Sequence, residues 1–158
     1  KVYKFGGASV RNADGVRNLR KIIDDEQNLF IIVSAMGKTT NALEKVFEGL
    51  QKGDKQLSLE HVEPAEDHAE IIDELWHEPK RLPAVDALFG ELEKVATETV
   101  YKPGDAELWY DTIVAYGELV STTIISEYLN YAGVSNRWIT CAAVFSPSSA
   151  TRTPGEHR

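Results

Sequence analysis

The sequence predicts an α/β fold built on a parallel sheet. Residues 1–5 and 29–33 are short segments of the kind that form strands, and 29–33 is continuously apolar. Between them, apolar residues recur at helical spacing, at Val16, Leu19, Ile22 and Ile23. A strand, a helix and a second strand within this length form a βαβ unit, whose two strands are parallel.

The composition is that of one globular domain, with 158 residues of which 42% are hydrophobic and 27% charged. A net charge of −8 argues against nucleic acid and against an anionic membrane surface as partners. No apolar run approaches membrane-spanning length. The single cysteine, Cys141, excludes a disulfide framework and favours a reducing compartment, so we expect a cytoplasmic protein.

In the first half of the chain, polar residues and glycines mark the predicted ends of helices and strands. Asn12 or Asp14 is expected to cap the first helix, which extends to about Gln27. The continuous apolar run at 29–33 is typical of a central strand that is covered on both faces. A second helix is predicted from about 41 to 51, with Gly53 ending it.

The second half is mostly helical. Residues 54–104 form an acidic insert, with helices predicted at 65–76 and at about 85–100 and a turn at Pro103-Gly104. A long amphipathic helix follows at about 106–131 and is stopped by Gly133. Residues 134–144 are predicted to be a third strand. The polar residues 146–158 are expected to be a disordered tail.

The segment Lys4-Phe5-Gly6-Gly7-Ala8-Ser9-Val10 joins the first strand to a glycine pair and a hydroxyl. Such a turn directs backbone N–H groups into one concavity that suits phosphate oxygens, and Lys4 would add a positive charge. Lys1, Arg11, Arg17, Arg20 and Lys21 make this end of the chain basic, which fits a small anion. A plain strand ending in a glycine turn is the alternative.

The second strand also ends in a polar loop, Ser34-Ala35-Met36-Gly37-Lys38-Thr39-Thr40-Asn41. The carboxyl ends of parallel strands share one edge of the sheet, so this loop should face the first one. Hydroxyls near the N-terminus of a helix favour an anion. Alternatively, Ser34 satisfies backbone groups at the strand end, and Thr40 or Asn41 is only an N-cap.

Gly117-Glu118-Leu119-Val120-Ser121 places a carboxylate on the long helix. By composition alone Glu118 could be one of many surface carboxylates. Together, however, the three segments resemble the aspartate kinases of the amino-acid kinase fold in their residues, order and spacing, over about residues 1–138. The resemblance implies that residues 1–145 are the N-terminal lobe of that fold, a parallel-sheet sandwich with a helical insert at about 54–104.

The resemblance also implies a reaction, in which ATP with Mg²⁺ phosphorylates the side-chain carboxylate of L-aspartate to give 4-phospho-L-aspartate. Such enzymes serve amino-acid biosynthesis. Lys4 would be catalytic, and Lys4, Gly6, Gly7 and Ser9 would bind phosphate. Ser34 and Thr40 would bind the reacting end of the substrate, and Glu118 its α-ammonium. The substrate carboxylate is already an anionic nucleophile, so such a transfer needs positioning and charge neutralisation more than a general base.

Two departures from the family are visible. Trp138 is followed by Ile139-Thr140-Cys141-Ala142, where the family has an Asp and an Arg. The sequence also ends before the segments that follow in the family, so we expect the nucleotide-binding C-terminal lobe and the regulatory ACT domains to be absent, and we hypothesise a truncated or frame-shifted product. On this hypothesis the chain is inactive alone, and a catalytically silent fragment, an association module or a homo-oligomer is the alternative. Another amino-acid kinase, acting on glutamate or acetylglutamate, is a further alternative.

The sequence gives little sign of a protein-held metal. His61, His68 and His77 lie in the acidic insert at spacings of seven and nine, which do not share one helical face. We expect these histidines to be solvated surface residues and no metal to be bound by protein side chains. Mg²⁺ would be held by the substrate phosphates.

Overall fold

The computed structural model describes residues 1–62 and 65–140, without the side chains of residues 65–67. It contains two strands, β1 and β2, and six α-helices, α1 to α6, within this range. In chain order they are β1 Val2–Phe5, α1 Ala13–Ile23, β2 Phe30–Val33, α2 Thr39–Lys52, α3 Lys55–Val62, α4 Ala65–Trp76, α5 Pro83–Glu98, a 3₁₀ turn Pro103–Asp105 and α6 Ala106–Tyr131. The predicted α/β class is confirmed.

The two strands pair in parallel, as the βαβ pattern predicted. Val2 lies opposite Phe30 and Phe5 opposite Val33. The Ser34 amide continues the ladder by donating to the Phe5 carbonyl at 3.0 Å. Both strands therefore end at the same edge, and the loops that follow them leave the sheet side by side.

Most helix ends follow the predicted signals. The Asn12 side chain caps α1 by accepting from the Gly15 amide at 2.9 Å. Gly53, with φ +66°, ends α2 in the left-handed conformation that glycine adopts without strain. The first helix ends at Ile23 and does not reach Gln27. Asp24, Asp25 and Glu26 follow Ile23, and negative charge is unfavourable at a helix C-terminus.

The long helix α6 is shared by two apolar clusters. Its C-terminal half packs with α1, α4 and the inner face of the sheet, through Val120, Ile124, Ile125, Tyr128 and Leu129. Its N-terminal half packs through Ile113 with α2, α3 and α5. The helices α3 to α5 lie within residues 54–104, the segment predicted to be a helical insert. Within the described residues, no helix has the length and apolarity needed to cross a membrane.

One face of the sheet differs from the prediction. Phe5 and Val33 are buried against the helices, but on the opposite face Val2, Phe30 and Ile32 are 63%, 59% and 51% exposed. The expected cover on both faces of β2 is therefore not found within the described residues. A continuous apolar run predicts that both faces of a strand are covered, but it does not tell which residues cover them.

The predicted third strand is wrong over residues 134–140, which form no strand. The Asn130 side chain accepts from the Asn136 amide at 3.0 Å, and the Trp138 indole N–H donates to the Thr122 hydroxyl at 2.8 Å. This segment therefore bonds to side chains of α6, where a strand would bond to a neighbouring strand. Residues 141–144 and the predicted tail at 146–158 lie outside the described residues.

Candidate functional site

The loop after β1 (residues 6–10, the first loop) and the loop after β2 (residues 34–38, the second loop) pack directly against each other. A Cβ placed on Gly7 would lie 2.7 Å from the Ala35 carbonyl oxygen and 4.0 Å from the Gly37 carbonyl oxygen. Only a residue without a side chain allows so close an approach of two backbones. The prediction that the two loops face one another is confirmed.

The first loop begins with a tight turn. The Ser9 amide donates to the Gly6 carbonyl at 2.9 Å, so it is already used within the loop. The Ser9 side chain is exposed, which leaves its hydroxyl as the group that can meet an anion. A Cβ on Gly6 would have no heavy atom within 4 Å, so the backbone at Gly6 is open.

Lys4 lies on the uncovered face of the sheet. It pairs in register with Ile32, and neighbouring residues of a strand point to opposite faces. Phe5 is buried among the helices, so Lys4 points away from them, and its side chain is exposed two residues before Gly6. A mobile ammonium group beside an open glycine backbone is suited to a phosphoryl group.

The second loop is fixed to α6 at two neighbouring points. The Ser121 hydroxyl donates to the Ser34 carbonyl at 2.8 Å. One helical turn earlier, a Cβ on Gly117 would lie 2.8 Å from the Ala35 Cβ and 3.2 Å from Leu43 Cδ1. Gly117 thus lets the long helix approach the second loop and α2 at once.

Glu118 follows this contact point. Its carboxylate is exposed, and its carbonyl accepts from the hydroxyls of Ser121 and Thr122 at 3.3 and 2.6 Å. The backbone at Glu118 is therefore held by the same residues that hold the second loop. The side chain itself is available to a ligand in solvent.

The N-terminus of α2 completes this region. The helix begins at Thr39, and Lys38 at the N-cap makes no side-chain capping bond. The alternative that Thr40 or Asn41 serves as the N-cap is wrong, because both lie inside the first turn and are exposed. Their polar side chains stand at the positive end of the helix dipole, where an anion is favoured.

The structure therefore brings the predicted segments together through their backbones. Gly7 and Gly117 both contact Ala35, and the side chains of Lys4, Thr40 and Glu118, which belong to the same three segments, are exposed. The role of each predicted residue stays a prediction. The sequence placed Thr39 among the hydroxyls at the start of the helix, and the structure shows that Thr39 is buried whereas Thr40 is exposed.

The histidine expectation is wrong for one residue. His68 is buried at 2% exposure and contacts Thr39, with Nε2 3.4 Å from the hydroxyl. His61 is half-buried with Nδ1 2.9 Å from the Leu57 carbonyl, and His77 is exposed. Within the described part of the chain, no three His, Cys, Asp or Glu side chains converge as a metal site would require.

The strongest local charge coupling near the sheet lies at the opposite end of the strands. The Lys1 ammonium donates to Glu26 at 2.7 Å, and the Tyr3 hydroxyl donates to the same carboxylate. The hydrogen bond from Lys1 and then that from Tyr3 lower the pKa of Glu26, and the hydrogen bond to Glu26 raises the pKa of Tyr3. This cluster ties β1 to the segment after α1 and is separate from the candidate site.

Comparison with known proteins decides the family. The model of the amino acid kinase family matches residues 1–155, nearly the whole chain. The chain belongs to the amino acid kinase family. The match extends past residue 138, where the sequence motifs alone ended the resemblance.

The relatives within this family are aspartokinases. The chain is 32% identical to aspartokinase 1 of Arabidopsis thaliana over 86% of its own length, and 33% identical to the aspartokinase of Chlamydia trachomatis over 80%. A crystal structure of Escherichia coli aspartokinase III with aspartate and ADP superposes with a TM-score of 0.67, at 26% identity and over 87% of this chain. The chain spans 24%, 27% and 30% of the lengths of these three proteins.

Proposed function

We propose that this chain carries the aspartate-binding wall and part of the phosphoryl-transfer site of an aspartate kinase. The reaction would transfer the terminal phosphoryl group of ATP to the side-chain carboxylate of L-aspartate, giving 4-phospho-L-aspartate. The observation that carries the proposal is the meeting of Gly7, Ala35 and Gly117, because it joins the three segments whose motifs resemble this family. The complex of E. coli aspartokinase III with aspartate and ADP supports the same substrate class.

The residues can be given roles by their chemistry and exposure. Lys4 would neutralise charge on the transferring phosphoryl group, since its ammonium group is exposed beside the open backbone of Gly6. Gly7 would let the backbone of the first loop approach the phosphates. The Ser9 hydroxyl would donate to a phosphate oxygen. These groups bind and orient, and they require no covalent intermediate with the protein.

On the substrate side, charge complementarity suggests the orientation. The exposed carboxylate of Glu118 would hold the α-ammonium of aspartate. Ser34 and Thr40 would hold the reacting carboxylate, with Thr40 at the positive end of α2. Both ends of the amino acid would then lie near the junction of the two loops and α6.

ATP and Mg²⁺ would enter this site as a pair. Within the described residues no carboxylate cluster is built for a divalent cation, so Mg²⁺ would be held by the nucleotide phosphates and no step is assigned to it here. We expect weak ATP binding, because the residues assigned to the nucleotide would contact only its phosphate end. Tight ATP binding by this chain would contradict that expectation.

The first experiment measures aspartate binding by calorimetry or NMR titration. The wild-type chain should bind L-aspartate, and Glu118→Ala should abolish that binding because the α-ammonium loses its counter-charge. Glu127→Ala is the matched control, since Glu127 is also exposed on α6 but lies more than two turns away. Unchanged binding in Glu118→Ala would remove Glu118 from the site.

A second experiment separates the alternatives. Hydroxylamine traps aspartyl phosphate, so a trapped product made by this chain alone would exclude a catalytically silent fragment. Aspartate binding without product would favour the fragment reading, in which the chain retains one wall of the site. Titration with L-glutamate and N-acetylglutamate tests the other amino-acid kinases, and tighter binding of either would overturn the assignment to aspartate.

The uncovered sheet face gives a reason to test self-association as well. Val2, Phe30 and Ile32 present apolar surface on one side of the sheet, and such surface favours association. Sedimentation velocity of the chain over a range of concentrations would show whether a homo-oligomer forms.

A further inference from the structure

His68 is a buried polar side chain to which the proposed function gives no role. It lies on α4 at 2% exposure, and its Nε2 is 3.4 Å from the hydroxyl of Thr39, the first residue of α2. The imidazole also packs edge-on against Phe89 of α5, with ring centroids 5.8 Å apart and planes at 61°. His68 therefore connects two helices of the insert to the start of α2.

The donor and the acceptor of the contact between His68 and Thr39 can be assigned. The Thr39 hydroxyl donates to the Met36 carbonyl at 2.6 Å, and the Thr39 amide donates to the same carbonyl at 3.1 Å. A hydroxyl carries one proton, so the Thr39 oxygen can only accept from His68. Nε2 of His68 is then the protonated nitrogen. His68 donates to the Thr39 hydroxyl, which in turn donates to the Met36 carbonyl.

This relay ends inside the second loop, next to the candidate site. Thr39 is 6% exposed, and its methyl carbon Cγ2 lies 3.7 Å from the position of a Cβ on Gly117. Thr39 is thus held between His68, the second loop and α6. Ser34 is the first residue of this loop and Thr40 directly follows Thr39, so the contacts of Thr39 lie between the two residues assigned to the substrate carboxylate.

We propose that His68 is a positioning residue, which holds the segment from Ser34 to Thr40 in its substrate-binding geometry by donating a hydrogen bond from Nε2 to Thr39. The identity of the substrate, aspartate, rests on the proposed function. The role of His68 in the loop rests on the contacts alone. If His68 only filled space, an apolar side chain of similar volume would serve as well.

The test uses four variants, one further control variant and two readouts. In His68→Leu and Thr39→Val, aspartate affinity should fall about three- to tenfold, the effect of one neutral hydrogen bond. The double variant should bind no more weakly than Thr39→Val, since Thr39→Val already removes the His68 hydrogen bond together with the one to the Met36 carbonyl. His68→Gln should recover part of the affinity because its amide can still donate. His61→Gln, in the neighbouring helix, should bind like the wild type.

The second readout needs no ligand. The amide of residue 39 donates to the Met36 carbonyl, so its hydrogen exchange should accelerate in His68→Leu and in Thr39→Val while circular dichroism shows a folded chain. If His68→Leu does not fold, Thr39→Val and His68→Gln decide the question. Affinity and exchange equal to the wild type in the folded variants would overturn the role of His68.

The two proposals fail in different ways. A wild-type chain that binds no aspartate would refute the proposed function, and the exchange measurement would still judge His68. A chain that binds aspartate equally well with and without the His68 hydrogen bond would refute the positioning role and leave the proposed function in place.

Discussion

The hydroxyl of Ser121 on α6 donates a 2.8 Å hydrogen bond to the carbonyl of Ser34, a residue 87 positions earlier in the chain. This bond ties the end of β2 to the helix that carries Glu118. Beside it, Gly117 lets the helix approach Ala35 closely. The candidate site is therefore held together by contacts between its backbone segments, and these contacts can be tested without any ligand.

Replacement of Ser121 by alanine removes the hydroxyl that donates to the Ser34 carbonyl. We expect Ser121→Ala to lower the free energy of unfolding by about 1–2 kcal/mol, measured by urea denaturation. Thr112→Ala is the control, because the Thr112 hydroxyl bonds only to the Leu108 carbonyl in its own helix, and it should change stability by less than about 0.5 kcal/mol. Equal effects of the two substitutions would contradict the assigned role of Ser121.

Replacement of Gly117 by alanine has two opposing effects on stability. Alanine is a better helix former by about 1 kcal/mol, but its Cβ would lie 2.8 Å from the Ala35 Cβ, which has no rotamer to move. Overpacking costs about 1–3 kcal/mol, so we expect net destabilisation on thermal denaturation. Gly90→Ala in α5 meets nothing within 4 Å and should be stabilising. A stabilising Gly117→Ala would show that α6 does not press against the second loop.

Gly7 and Gly6 form a similar pair. Gly7→Ala would place a Cβ 2.7 Å from the Ala35 carbonyl oxygen, so the two loops would have to separate at a cost of about 1–3 kcal/mol. Gly6→Ala meets nothing within 4 Å and should leave folding unchanged. Urea denaturation of both variants checks this, and similar stabilities would mean that the loops do not pack as described.

Glu48 should make stability depend on pH. Its carboxylate accepts from Lys45 at 2.7 Å and from Lys52 at 2.6 Å, and these hydrogen bonds lower its pKa from 4.5 to about 2. A lowered pKa stabilises the fold above pH 4.5, and that stabilisation is lost as the pH falls to about 2. We therefore expect Glu48→Gln to have a lower Tm than the wild type at pH 7 and to approach it near pH 2.

Salt and a second carboxylate provide the controls for Glu48. Because the ion pairs with Lys45 and Lys52 lie at the surface, about 1 M salt should reduce the difference between Glu48→Gln and the wild type at pH 7. Glu70→Gln, an exposed position on α4, should show a smaller change with pH. A Tm difference for Glu48→Gln that is constant from pH 7 to pH 2 would refute the coupling.

Local patterns were sufficient for the secondary structure. The strand-like segments at 1–5 and 29–33 with a helical pattern between them predicted the parallel pair, and Asn12 and Gly53 marked helix ends by their own backbone and side-chain chemistry. The parallel arrangement in turn predicted that both loops lie at one edge. This succeeded because strand direction follows from the length and type of the connection.

Local patterns failed where a contact with a residue far away in the chain decides the conformation or the burial of a residue. Residues 134–140 include the strand-forming residues Val134, Trp138 and Ile139, yet Asn136 and Trp138 form hydrogen bonds with α6. The sequence also led to the prediction that His68 is a surface residue, because it lies among acidic neighbours. Its burial depends on Thr39 and Phe89, which come from two other helices.

The sequence by itself determined the elements, their order and the three segments of the candidate site, because capping, periodicity and glycine turns act over a few residues. Only the tertiary structure decided that these segments meet at Gly7, Ala35 and Gly117, and that Thr39 and His68 lie behind them. Close packing depends on which atoms face each other across the core, and residues far apart in the chain supply those atoms.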